Sequence, residues 1–193
     1  MREIKRIFVH CTAGSQKTTL KQLENEFKAK GWKSPGYHYV VFPDGKIEQM
    51  LDESKVSNGV KNYNSTSINI AYVGGVDSKL KPLDNRTEAQ KASLITLLSE
   101  LKTRYPSAHI MGHRDIWGKD PKKWQKWCPC FDAEEEYKNI GVLKEIPAEV
   151  PITDETVLDK EFLTGGLIYD NIVEKKPTFI NNVINFFKSL LKK

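Results

Sequence analysis

Two apolar runs of strand length each lead to a histidine, and this limits how the chain can fold. Ile4 to His10 is rich in Ile, Phe and Val and reads as a buried strand carrying His10 at its end. Ala108 to Met111 is a second, shorter strand that delivers His113 at its exit. Two such ends can converge over one edge of a sheet. The segments between them supply the rest of that sheet. Gly36 to Phe42 is β-branched and aromatic, Pro43-Asp44-Gly45 makes a turn, and Lys46 to Met50 returns as the hairpin partner. After a polar stretch up to Ser67, Ser67 to Val73 is another strand, closed by Gly74-Gly75.

Helical patterns alternate with these strands. Leu20, Leu23 and Phe27 give a stripe to a helix over about residues 18–30, which Gly31 stops. Thr87-Glu88-Ala89-Gln90 is a capping box that opens the longest helix, running to about Arg104 with Leu94, Ile95, Leu98 and Leu101 on one face. Pro106 ends it, and Asp132 begins a short acidic helix. The alternation predicts an α/β fold: one domain, residues 1–144, with a central mixed β-sheet flanked by helices.

The chain has 193 residues, enough for one well-buried domain of roughly 150 residues and an appendage. Composition shifts after Lys144. Residues 145–176 are acidic, with Pro147 and Pro151 near the start, and read as a linker. Residues 177–193 reverse sign: Phe179, Ile180, Val183, Ile184, Phe187, Leu190 and Leu191 fall at helical spacing, with Lys188 and Lys192 on the other side. This cationic amphipathic helix could fold back on the domain, join another helix or lie on an anionic membrane surface. A net charge of +5 selects no partner alone, and no arginine-rich run marks a nucleic-acid site. The N-terminus lacks the apolar core of a signal peptide, so synthesis in the cytoplasm is expected.

Three cysteines cannot build a disulfide framework, which favours thiols as metal ligands or as small buried residues. Lys126-Trp127-Cys128-Pro129-Cys130 holds a thiol with an amine two residues before it. His10, His113 and Cys128 together would offer zinc three protein ligands and leave a fourth position open, the pattern of catalytic sites. A single histidine is more often a satisfied core or surface residue than a ligand, so spacing leaves both readings standing.

The flanking residues add to this. "FVHCTA", "GYHYVVFPDG", "SINIAYVGG", "GHRDI" and "KWCPCFDA", in that order, resemble the type-2 N-acetylmuramoyl-L-alanine amidases, a family that includes phage lysins and peptidoglycan-recognition proteins. The similarity covers roughly residues 3–140. It implies one Zn2+ held by His10, His113 and Cys128, with Tyr37 near the metal-bound water and Lys126 facing the reacting carbonyl. It places the sulfur ligand before the proline, hence Cys128 and not Cys130, where many members have Gly or Ser.

Two imidazoles and one thiolate leave zinc a net positive charge that lowers the pKa of its water toward ~7. The reaction implied is hydrolysis of the amide between N-acetylmuramic acid and L-alanine in peptidoglycan, by a phage or prophage endolysin acting after release from the cell. His38 and Asn64 are candidate substrate contacts, although a regular strand would turn His38 away from Tyr37 and a solvated loop would suit Asn64. Cys11 is expected as a small buried residue beside the site, His109 at the surface or in the core, and Asp115 as a supporting acid. The rivals are a bacterial cell-wall remodelling or recycling amidase, a non-catalytic peptidoglycan-binding module, and a closed structural zinc site completed by Cys11 or Cys130. A monomer is expected.

Overall fold

The computed structural model describes residues 2–141, and the predicted linker and cationic helix lie outside them. Five strands form one sheet: β1 (Arg6–Cys11), β2 (Tyr39–Val41), β3 (Ile47–Gln49), β4 (Ser67–Tyr72) and β5 (His109–Gly112), in the order β3-β2-β4-β1-β5. Only the β2–β3 hairpin is antiparallel; β2–β4, β4–β1 and β1–β5 run parallel. The sheet is mixed, as expected. Three helices accompany it: α1 (Leu20–Ala29), α2 (Glu88–Arg104) and α3 (Ala133–Glu136).

Alternation along the strands divides the interior into two layers. Ile7, Val9 and Cys11 of β1, Tyr39 and Val41 of β2, and Ile68, Ile70 and Tyr72 of β4 pack with Leu94, Leu97, Leu98 and Leu101 of α2. The intervening Val40 packs with Val73 and with Leu23 and Phe27 of α1. The helices therefore cover opposite faces. One detail of α2 differs from its predicted face: Leu97 is buried, whereas Ile95 is 50% exposed. Leu94, Leu97, Leu98 and Leu101 follow the i, i+3, i+4, i+7 rule, and Ile95 lies one residue round from that stripe.

Both longer helices start at capping boxes. Thr87 accepts from the backbone N–H of Gln90 while Gln90 accepts from that of Thr87, and Thr19 and Gln22 repeat the arrangement. The Gln90 amide does more. Buried at the start of α2, it donates to the carbonyls of Val41 and Val73 at 3.0 Å each, tying the helix to the C-terminal ends of β2 and β4.

Arg86 anchors the last segment of the domain. Its buried guanidinium bonds Asp84, Glu136 and the Tyr137 hydroxyl, and lies 3.3 Å from the Phe131 ring centroid. Those carboxylates keep it firmly charged despite burial. The Arg86 side chain is 2% exposed and its two carboxylate partners about a third exposed, so the charge inside depends on partners that still reach water. This contact holds the stretch that carries Cys128 against the sheet.

Candidate metal centre

Register alone brings the two histidines together. β1 and β5 are parallel neighbours with Val9 paired to Gly112, so His10 and His113 are the next residues at the same end of the sheet. That end holds the carboxyl termini of the strands, where open α/β sheets gather ligands. Gly112 permits the third residue to arrive. A Cβ there would stand 2.5 Å from Cδ of Pro129, so a side chain would push the Cys-Pro segment away. Without one, the Arg114 N–H donates to the Cys128 carbonyl at 2.9 Å and the Tyr72 hydroxyl donates to the Pro129 carbonyl at 2.7 Å.

The result is a compact triad. Nδ1 of His113 is 3.2 Å from Nδ1 of His10, and Sγ of Cys128 is 3.6 Å from that same nitrogen. All three ligand atoms lie within 4.8 Å of one another, and no fourth His, Cys, Asp or Glu joins them among the described residues. Zinc bonds of 2.0–2.3 Å to nitrogen and sulfur fit separations of this size, and one thiolate with two imidazoles is a set that zinc accepts. His10 is 1% and His113 7% exposed. Burial pushes His10 down to about 4, with the Lys126 ammonium adding to it and the Asn69 hydrogen bond opposing it. Burial, the His10 ring and Lys126 push His113 down to about 2. Both rings are neutral at pH 7, as metal ligands must be.

Asn69 decides which nitrogen His10 presents. Its Oδ1 lies 2.8 Å from Nε2 of His10, which therefore carries the proton and leaves the Nδ1 lone pair to the triad. Nδ2 of Asn69 donates in turn to Ser57 Oγ at 2.9 Å. Gly59 gives the amide its room, since a Cβ there would fall 2.3 Å from Oδ1. The sequence reading missed Asn69. Its signal was one amide inside the apolar strand Ser-Ile-Asn-Ile-Ala-Tyr, where a buried polar group must find a partner.

The other expected residues separate. The Tyr37 ring lies 5.3 Å from that of His10, and its hydroxyl points to the Cys11 carbonyl at 3.5 Å. Burial first, then the nearby thiols of Cys128 and Cys11, hold this phenol well above its ordinary range, so it stays protonated. Lys126 is exposed, with its charge close enough to disfavour protonation of both rings. His38 does not meet the expectation of a substrate contact. It is 0% exposed, with Nε2 3.1 Å from the Lys55 carbonyl and Nδ1 accepting from the Asn69 N–H at 3.0 Å. Both nitrogens are used in holding the loop and β4 together. Asn64 likewise spends its Oδ1 on the Val60 N–H at 2.7 Å, inside its own loop.

Cys11 is buried and donates its backbone N–H to Sγ of Cys128, while its own Sγ lies 3.8 Å from that of Cys130. The Cys130 thiol donates to the Gly75 carbonyl, away from the imidazoles. Asp115 accepts from the Gly112 N–H at 2.7 Å, which braces the turn carrying His113. His109 is exposed and pairs with Glu134 at 3.0 Å.

The sequence pattern of the N-acetylmuramoyl-L-alanine amidases matches residues 1–131. The endolysin of Klebsiella phage KP32 is 39% identical over 134 residues, 68% of this chain and 84% of that protein. The endolysin of Escherichia phage T7 is 38% identical over 130 residues, 66% of this chain and 82% of that protein. Among solved structures, the Ph2119 endolysin from a Thermus scotoductus bacteriophage superposes with a TM-score of 0.57 at 26% identity, covering 73% of this chain and 86% of that one. Bumblebee PGRP-SA shares the fold, with a TM-score of 0.56 at 16% identity, over 72% of this chain and 83% of that one. The chain belongs to the N-acetylmuramoyl-L-alanine amidase family.

Proposed function

We infer that this protein is a zinc-dependent endolysin that hydrolyses the amide between N-acetylmuramic acid and L-alanine of peptidoglycan. The observation that carries the reading is the convergence of His10 Nδ1, His113 Nδ1 and Cys128 Sγ within 4.8 Å, in a chain of this family. His10, His113 and Cys128 would hold the metal. Zinc bound there supplies Lewis acidity, polarising the scissile carbonyl and acidifying a water.

The protein's own residues supply the rest. Asn69 fixes the His10 tautomer, so the ring need not reorganise when metal arrives. The Lys126 ammonium faces the oxygen that gains negative charge as the carbonyl becomes tetrahedral, a contribution of about 3 kcal/mol in comparable sites. Tyr37, held protonated, acts as a hydrogen-bond donor that orients the attacking water.

Mass analysis of products from purified peptidoglycan tests the reading. A new L-alanine amino terminus that appears with zinc and vanishes with a chelator is expected. Binding to sacculi with no such product, at full zinc loading, would replace the enzyme with a peptidoglycan-binding module. The predicted cationic helix at 177–193 adds a separate expectation: its deletion weakens binding to anionic vesicles and spares hydrolysis.

A further inference from the structure

Residues 117–127 concentrate three of the chain's four tryptophans and four of its lysines beside the triad. The Trp117 ring stacks on His113, with centroids 5.6 Å apart and planes 11° from parallel. Trp124 is fixed twice: its indole N–H donates to the Gly118 carbonyl at 2.7 Å, and the buried Arg114 guanidinium sits 4.2 Å from its ring centroid. Trp127 meets Trp124 edge to face, with centroids 5.2 Å apart and planes at 87°. Yet Trp127 is 50% exposed, one residue from the Cys128 thiol.

An indole left half in water and braced by a pinned neighbour is a preorganised contact surface, because little side-chain freedom remains to be lost on binding. The residues around it say what it suits. Its sequence neighbours Lys122, Lys123, Gln125 and Lys126 are exposed and polar, unlike the apolar run that a membrane wedge would need. A flat ring with exposed hydrogen-bond donors close by in sequence matches a pyranose, which offers C–H groups on one face and hydroxyl and acetamido oxygens at its edge.

Resting on the amidase reading, we propose that Trp127, backed by Trp124, is a stacking platform for the sugar next to the reacting N-acetylmuramic acid in the glycan strand. The platform makes the enzyme prefer polymeric glycan over single-sugar substrates. Lys122 and Lys123, exposed a few residues before it, are available to meet the sugar's oxygens and nearby carboxylates.

The test compares the zinc-loaded full chain with Trp127→Ala and Trp127→Phe on intact sacculi and on N-acetylmuramoyl-tripeptide, which has no second sugar. Trp127→Ala should raise KM on sacculi about tenfold, leave kcat there nearly unchanged and spare the single-sugar substrate. Trp127→Phe, which keeps a flat ring, should restore most of the preference. Cosedimentation of metal-free protein with sacculi should fall in step for Trp127→Ala, giving a readout independent of turnover. Equal losses on both substrates would overturn the platform and make Trp127 a brace for the centre. Unchanged KM and cosedimentation would overturn it as well, as would a loss confined to binding of vesicles containing phosphatidylglycerol. A wild-type protein that releases no L-alanine amino terminus from either substrate would instead count against the amidase reading.

Discussion

The two faces of strands β1 and β4 are built from alternate residues of the same segments, yet they do different work. Toward α2 the strands present Ile7, Val9, Ile68, Ile70 and Tyr72, an apolar layer closed by four leucines. On the other face the same strands present His10 and Asn69, both buried and joined by a hydrogen bond. The first layer gains from removing apolar surface from water, about 25 cal/mol per Å². The second gains little net stability from its hydrogen bonds and would lose much if one were broken. A period of two thus lets a six-residue strand serve the core and the site at once, with one-residue precision.

The sharpest way to break this division is to injure each side separately. Cys128→Ser replaces a thiolate with a hydroxyl that zinc binds poorly. Bound zinc, measured by elemental analysis, should be lost and amide hydrolysis should fall to background, with the melting temperature of the metal-free protein nearly unchanged. Leu98→Ala, in the α2 layer, should do the reverse. It should cost about 2–5 kcal/mol in denaturant unfolding and leave zinc content and turnover per folded molecule as they were. Loss of zinc from Leu98→Ala well below its melting point would show that the faces are not separable.

Asn69→Ala probes the seam between them. The side chain touches no predicted ligand atom, because it bonds the far nitrogen of His10. Its removal frees the ring to rotate or change tautomer and leaves Ser57 Oγ without its donor. Zinc affinity, measured by chelator competition, should fall about 10–100-fold, and stability should drop by about 1–3 kcal/mol. An unchanged zinc affinity would reduce Asn69 to a buried packing group.

Much of this was legible in the sequence because it rests on local rules. The runs ending at His10 and near His113 are apolar enough to be strands, and the Thr87–Gln90 box marks the start of α2 to the residue. What escaped depends on contacts between distant segments. That His10 is met by Asn69 follows from the pairing of β1 with β4, which no window of sequence contains. The sequence offers His38 as a candidate substrate contact, but it lies before the first paired residue of β2, with both nitrogens turned to the backbone. The order Trp124, Trp127, Cys128 could be read, but not that Arg114 would pin the first ring and leave the second in water.

The smallest expected effect belongs to the thiol two residues beyond the ligand. Cys130 sits at φ +75°, a region that costs a residue with a Cβ about 1–2 kcal/mol and costs glycine nothing. Its side chain packs at the edge of the α2 layer and donates to the Gly75 carbonyl, so glycine there relieves strain and gives up a partly buried thiol. The two effects are similar in size and opposite in sign. Cys130→Gly should therefore change the unfolding free energy by less than about 1 kcal/mol, with zinc content and hydrolysis intact. If that variant instead lost its zinc, the ligand would lie after the proline. Both sulfurs pack at the edge of the α2 layer, so what separates them is direction alone: Cys128 turns to the His10 ring and Cys130 to the Gly75 carbonyl, and the variant tests that difference.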